Sequence, residues 1–570
     1  MSIKHLTRKG RIALCTGAVV AVSASAVAIA QIPNGVPNAN PRTQSPLNVV
    51  ASPYVETPVA YGTDALENPV GIFTRYGYLN DQPAADAKNG IYPESTKTEP
   101  DGNAYVKGIS PGGPTPGYDY GSHFLYQSHE NGKLNTGATG FQAYITRVNL
   151  DVKDPAHRIT LQTPPDENGN TGFTRLDGSV YDPFNEQILG AQEGDASTTG
   201  GIVGSPVNWG ASNTPPAAQT YLGSLGRGGY EGIRFDSKGN LIVLEDIGGS
   251  NVNDPDPSQS GKNARSPNSF VYRFVPKDGK SLDAGKLQVL QATVDGSPIS
   301  YHGAGGCADS SGKTLVDDTF GSQILDLHSG TEFPVKWVTI HDTDTDGTTV
   351  FNANALAKTA CGTPFKRPEN GGFLPGTKFQ HYVFDETGDT SAASGSDPNA
   401  AARGAWGSIF ELSFPSTGSD TGTVKVVVNG DADHASFDTM ALLDDHTILT
   451  GEDRGDALHA QLNKLDSLWS FDLNEPLNTI TTNGKRLVAL GRDPSATADT
   501  QHITPDSNTG STSPSSYQND GDNEVTGVIV SNGVATTRGL LGATAPQSGL
   551  HIFYTQQHGD NITYEIDQQQ

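Results

Sequence analysis

Apolar residues along this chain come in short runs, broken by Gly, Asn, Asp and Pro, and the runs come in pairs. The clearest pair opens with Glu231-Gly-Ile-Arg-Phe-Asp236, turns at Lys238-Gly239-Asn240, and continues through Leu241-Ile-Val-Leu to Glu245-Asp246. Its grammar is acid, short strand, turn, apolar strand, acids. The same grammar runs from Asp438 through Asp444-Asp445-His446 to Glu452-Asp453, with the same fourteen-residue step from first acid to last Glu. A third copy, with a longer turn, runs from Asp177 through Asp182 to Ile188 and Glu193; a fourth, with a long insertion, joins Glu524–Val530 to His551–Gln557. Two weaker copies pair Glu369 with His381–Glu386, and Asp119 with His123–Glu130. Six strand pairs at uneven spacing predict an all-β fold, a six-bladed β-propeller with long loop insertions and few short helices. Residues 61–570 read as one such domain, with 390–403 and 495–521 as polar surface insertions.

In a propeller, equivalent positions of every blade point at one axis. The acids that open and close each copy are therefore expected to converge at one end of the channel. For any single copy the simpler reading is an acid that caps a turn; recurrence is what favours convergence. The overall charge agrees. Of 570 residues, 37 are Lys or Arg and 63 are Asp or Glu, a net charge of −26. A nucleic-acid partner needs a basic face, so that class is excluded, and crowded carboxylates call for compensating cations.

Residues 1–30 read as a signal peptide: Lys4, Arg8, Lys9 and Arg11 precede an apolar stretch that ends in Ala28-Ile29-Ala30. Its removal takes the net charge to −30 and places the mature chain outside the cytoplasm, periplasmic or secreted. Residues 31–60, rich in Pro, read as an extended leader. Of the three cysteines, Cys15 leaves with the signal, and an oxidising compartment favours a disulfide between Cys307 and Cys361. No later apolar run is long enough to span a bilayer, and nothing in the pattern calls for an oligomer, so a monomer is expected.

Carboxylates without a thiolate or a His cluster suit hard cations: Ca²⁺, Mg²⁺ or ferric iron. Export favours calcium. Asp342-Thr-Asp344-Thr-Asp346-Gly347 copies the first half of a calcium loop, but Ala353 stands where a complete loop has Glu. A second calcium site completed by remote ligands and an acidic turn without an ion both fit this segment. The Gly-rich stretches lack the Gly-Lys-Ser/Thr ending of a phosphate loop, and no G-x-S-x-G elbow supports a serine nucleophile. His459 lies in a short helical stretch, 457–465, and reads as a surface residue. Arg367-Pro368-Glu369 sets a cation beside an acid at the start of a repeat, where the guanidinium fork suits phosphate oxygens; an ordinary salt bridge near a turn fits the same three residues.

With the repeats and this tripeptide together, the chain resembles the PhoX-type alkaline phosphatase family of secreted bacterial proteins. The resemblance rests on Ser128-His129-Glu130, Glu231 with Glu245-Asp246, Arg367-Pro368-Glu369, Glu452-Asp453, and Asn523-Glu524-Val-Thr-Gly527 followed by Gln556-Gln557-His558. It implies a propeller whose axial pocket holds ferric iron and calcium and releases phosphate from phosphomonoesters. Carried onto this chain, it makes Arg367 the phosphate clamp and Glu193 and Glu369 the iron ligands. Glu130, Asp177, Glu231, Glu245, Asp246, Asp438, Glu452, Asp453 and Glu524 complete the expected metal set, with Glu369 also catalytic. The family's cysteine ligand has no counterpart here: Leu176-Asp177-Gly178-Ser179 stands in that region, and Gln192-Glu193 replaces a pair of glutamates. Within the same architecture, a non-catalytic calcium-stabilised binding module and a phytase-like or lactonase-like hydrolase are the alternatives.

Overall fold

The computed structural model describes residues 32–568 apart from 33, 43–46, 79–97, 131–139, 211–212, 302–315, 318, 390–391, 492–523, 532–550 and 559–560. The expected signal peptide and the whole insertion at 495–521 lie outside the described residues. So does Cys307, and with it the expected pairing to Cys361.

The fold is all-β, with few and short helices, and propeller-like. The first sheet is an antiparallel meander of Pro100–Lys107, His123–His129, Tyr144–Asn149 and Ile159–Leu161. The second repeats it with Leu176–Asp182, Gln187–Gln192, Gly201–Pro206 and Gln219–Thr220. A ten-stranded sheet follows. It begins with Tyr230–Phe235, Leu241–Glu245, Val271–Pro276 and Gly285–Val294. It crosses Phe333–Asp342 and returns through Thr421–Asn429, Ser408–Ser413, His381–Glu386 and Pro368–Phe373. Phe437–Leu442, Thr447–Glu452, Ser467–Asp472 and Lys485–Ala489 form the next sheet, which Val49–Val50 extends to five strands. The last joins Glu524–Val530, Ile552–Gln557 and Ile562–Gln568 to Tyr54–Ala60. Within 31–60, read above as an extended leader, two segments are thus outer strands, and the N-terminal chain completes the C-terminal sheet.

Apolar alternation explains how the sheets stack. Leu189, Ala191 and Ile202 of the second sheet pack on Tyr230, Ile233, Leu241 and Val243 of the next; Ala104, Phe124 and Tyr126 pack on Leu176, Ile188 and Val203 in the same way. The innermost strands make a closed circuit. Pro100–Lys107 lies beside Leu176–Asp182, then come Tyr230–Phe235, Pro368–Phe373, Phe437–Leu442 and Glu524–Val530, which lies beside Pro100–Lys107 again. The opening acids Asp177, Glu231, Glu369, Asp438 and Glu524 each sit at the start of an inner strand, so these five reach the same end of this circuit. Turn acids serve the simpler role: Asp182, Asp236 and Asp444 accept backbone N–H bonds from the residues that follow them.

Candidate metal and anion site

The inner strands meet so tightly that glycine is required. A Cβ on Gly102 would collide with the carbonyl oxygen of Asp177, one on Gly178 with that of Glu231, one on Gly232 with that of Glu369, and one on Gly527 with that of Asp101. These glycines put the repeats in register. The residues before them, Asp101, Asp177, Glu231 and Thr526, occupy one position, to which Glu369 and Asp438 also belong. Two residues earlier stand Glu99, Arg175, Gly229, Arg367, Ser436 and Glu524. In five repeats the carbonyl of this earlier residue accepts the N–H of the residue that closes the second strand: Glu99 from Glu130, Arg175 from Glu193, Gly229 from Asp246, Arg367 from Thr387 and Ser436 from Asp453, at 2.7–3.0 Å. Glu99, Arg175, Arg367 and Ser436 adopt left-handed backbone there, with φ of 42°, 40°, 59° and 57°, a cost that non-glycine residues bear only in an over-determined setting.

The carboxylates form a chain. Asp101, Glu130 and Glu524 place one oxygen each within 4.8 Å of one another, as do Glu130, Asp177 and Glu193, and then Glu193, Glu231 and Asp246. Glu130 and Glu193 are shared links. Burial, reinforced by neighbouring carboxylates, pushes Asp101, Asp177, Glu193, Glu231, Asp438 and Glu524 well above the ordinary carboxylate range. Glu369 is pushed up to about 7, by burial first and then by Asp246. Asp453 adds its charge to Asp101, Glu130, Asp438 and Glu524. Asp246 is the exception. Burial would raise it, but Arg367 grips it with Nε at 2.7 Å and Nη2 at 2.9 Å and holds it below its usual value. Arg367 also lies 3.3 Å from Glu369 Oε1, which accepts the Thr387 hydroxyl as well. Gln557 bridges Asp101 and Glu130 at 3.0 and 2.9 Å.

These residues fit a hard cation. Asp177 Oδ1 and Glu369 Oε2 are buried with no hydrogen-bond partner, and an acid cluster of this density favours either protons or metal ions. The triads offer only carboxylate oxygen, the donor set of Ca²⁺ and Mg²⁺.

No known protein-family profile and no curated protein sequence matches the chain. Among solved structures, PhoX of Pseudomonas fluorescens, in complex with vanadate, a transition-state analogue, superposes with a TM-score of 0.52 at 11% identity, over 94% of this chain and 98% of that one. This chain has a PhoX-like fold. Aldose sugar dehydrogenase of Streptomyces coelicolor, in its PQQ-bound form, is matched over 71% of this chain and 93% of its own at 11% identity, with a TM-score of 0.22 that is too low to bear on the site.

On this PhoX-like frame, Glu130, Asp177, Glu193, Glu231, Asp246, Arg367, Glu369, Asp438, Asp453 and Glu524 gather as one constellation. Glu245 and Glu452 do not join it, because consecutive strand residues face opposite sides. Glu245 turns between sheets and accepts from Tyr272, Asn354 and the N–H of Phe270; Glu452 takes Arg454 at 2.6 Å and the N–H of Ala435. Asp342, Asp344 and Asp346 lie on an outer turn, where Lys286 and Lys277 pair with the first two and Asp346 accepts the N–H of Asp342. His459 is buried, not at the surface: it lies in the helix Gly455–Leu462 and pairs with Asp466 at 2.9 Å. The weak sixth copy also needs correction. Asp119 is exposed in a loop, and the strand opens instead at Asp101, whose signal is the Asp-Gly dipeptide it shares with Asp177-Gly178. Arg175 was missed as well, although Arg175-Leu-Asp177 repeats the form of Arg367-Pro-Glu369.

Proposed function

We propose that this protein is a secreted, metal-dependent phosphatase-like hydrolase that acts on phosphomonoesters at the axial cavity of a six-bladed propeller. The observation that carries this reading is Arg367, a cation fixed by Asp246 at the edge of linked carboxylate triads. Such a site pairs a guanidinium with oxygen donors for a second positive charge, the combination that phosphoryl transfer demands. The fold supports it, since the PhoX structure holds vanadate as a transition-state analogue. Six blades follow if the ten-stranded sheet is counted as two four-stranded blades bridged by Phe333–Asp342. Export by a signal at 1–30 and a Cys307–Cys361 disulfide belong to the same proposal. Among the described residues no helix is long and apolar enough to cross a membrane.

Asp101, Glu130, Asp177, Glu193, Glu231, Asp246, Glu369, Asp438, Asp453 and Glu524 would hold the cations, with calcium the first candidate and ferric iron the second. When bound, a hard cation supplies Lewis-acid polarisation of the phosphoryl oxygens. The chain's own part is orientation. Arg367 commits its Nε and Nη2 edge to Asp246, and no hydrogen bond to Nη1 occurs among the described residues, so Nη1 is available to a phosphoryl oxygen. Thr387 fixes Glu369 Oε1 and leaves Oε2 for a cation.

Purified protein supplied with calcium and iron is expected to release phosphate from a chromogenic phosphomonoester, and a chelator to abolish this. Arg367→Ala should lower kcat/KM by about 10²- to 10³-fold, the loss seen when one transition-state donor is removed. Absence of turnover on several esters by the metal-loaded protein would sink the enzyme reading. If the melting temperature then still fell on chelation, the calcium-stabilised binding module would take its place.

A further inference from the structure

Arg175 and Arg367 stand at the same position of two repeats, each two residues ahead of an opening acid and each in left-handed backbone. The repeat between them has Gly229 at that position. A Cβ there would press on the Asp246 and Gly194 carbonyl oxygens and on Ile247, so this repeat sends no side chain into the gap. The triad of Glu193, Glu231 and Asp246 belongs to this neighbourhood, and Arg367 grips its last member. Along the circuit of inner strands two arginine positions thus flank a glycine position, next to a carboxylate triad.

The two are not equivalent. The Arg367 side chain is 19% exposed and tied to Asp246, whereas Arg175 is exposed and its side chain makes no hydrogen bond or ion pair among the described residues. The left-handed backbone is shared with Glu99, Arg367 and Ser436 and serves the bond from the Glu193 N–H to the Arg175 carbonyl, which leaves the exposed guanidinium itself without a structural task. Local attraction to acids alone would leave the side chain folded onto one of them.

We infer that Arg175 is a specificity residue, which binds a second anionic group on the substrate while Arg367 holds the phosphate. The inference rests on the phosphomonoester reading and narrows it. Preferred substrates carry a carboxylate or a second phosphate a few bonds from the ester. Guanidinium–carboxylate and guanidinium–phosphate pairs are charge-assisted and bidentate, and one such bond amounts to roughly tenfold in affinity.

The test separates binding from turnover. Two hydrolysis-inert probes, methylphosphonate and phosphonoacetate, share the phosphonate and differ by one carboxylate. Calorimetric titration of the calcium-loaded, full-length protein should give phosphonoacetate the tighter Kd by about tenfold. Arg175→Gln should collapse this ratio towards one, and Arg175→Lys should retain part of it. Melting temperatures of both variants verify that they are folded. If methylphosphonate binds but the ratio is near one in the wild type, or survives in Arg175→Gln, the inference is overturned and the phosphate site stands. If neither probe binds, both fall. If the ratio behaves as expected but no ester is turned over, Arg175 keeps its role in anion recognition and the enzyme reading alone is lost.

Discussion

Glu245 and Asp246 show how much one residue of register decides. They are adjacent acids at the end of one strand, and they meet opposite fates: Asp246 joins the triad of Glu193 and Glu231 and is kept ionised by Arg367, whereas Glu245 faces the core. Burial pushes Glu245 up to about 7, against the pull of Asn354, Tyr272, Lys358 and the Phe270 N–H, and its Oε1 has no partner. The folded protein therefore holds a proton on Glu245 between its ordinary value of 4.5 and about 7, while the unfolded chain releases it. Stability from this group is full below that window and falls as pH rises through it. Glu245→Gln keeps the shape and an accepting oxygen but cannot ionise. At pH 8 it should be more stable than wild type by up to about 3 kcal/mol, and near pH 4.5 the difference should vanish. Denaturant melts at the two pH values measure this. Equal destabilisation at both would mean that Glu245 is needed as a carboxylate.

At the scale of the strand pair, the same dipeptide does two jobs. In Asp101-Gly102, Asp177-Gly178 and Glu231-Gly232 the acid supplies the site, and the glycine lets the next inner strand approach. Gly178→Ala would drive a methyl into the Glu231 carbonyl, and backbone cannot step aside as a side chain does. We expect a loss of about 1–3 kcal/mol or more, together with weaker calcium binding, because Asp177 and Glu231 move with their strands. Thermal melts with and without calcium read both effects, and an unchanged melting temperature would contradict the packing argument. This dipeptide also marks how far the sequence could be read. The strand pairs were legible because apolar alternation and turn residues are local. Asp101 was not, because a long connection separates its strand from His123–His129 and brought Asp119 forward instead. Glu452 was misplaced for another reason: a run of two acids does not say which one faces the axis. The outer strands at Val49–Val50 and Tyr54–Ala60 pair with chain more than 400 residues away, a distance over which periodicity carries no information.

Over the whole molecule, the electrostatics of the carboxylate cluster become a stability that depends on pH and metal. In the metal-free fold Asp101, Asp177, Glu193, Glu231, Asp438 and Glu524 all titrate above their unfolded values, raised first by burial. From the ordinary carboxylate range, about 4, up to those raised values, the folded state binds more protons than the unfolded one. The slope of stability against pH is therefore negative over that range. For Glu369 the window runs from 4.5 to about 7. Calcium competes with these same protons, so it binds more tightly as pH rises and should cancel the slope. At a thousandfold excess over Kd, one ion stabilises the fold by about 4 kcal/mol. Calorimetric scans from pH 5 to 8 should thus show a melting temperature that declines with pH in chelator, holds level in calcium, and differs most at pH 8. General repulsion from a net charge of −26 would also weaken the fold at high pH, but it is spread over the surface and is screened by salt. Asp177→Asn combined with Glu193→Gln separates the two causes. It removes two charges from the linked triads, so the decline in chelator and the gain from calcium should shrink together, whereas a surface-charge origin would leave the calcium response intact.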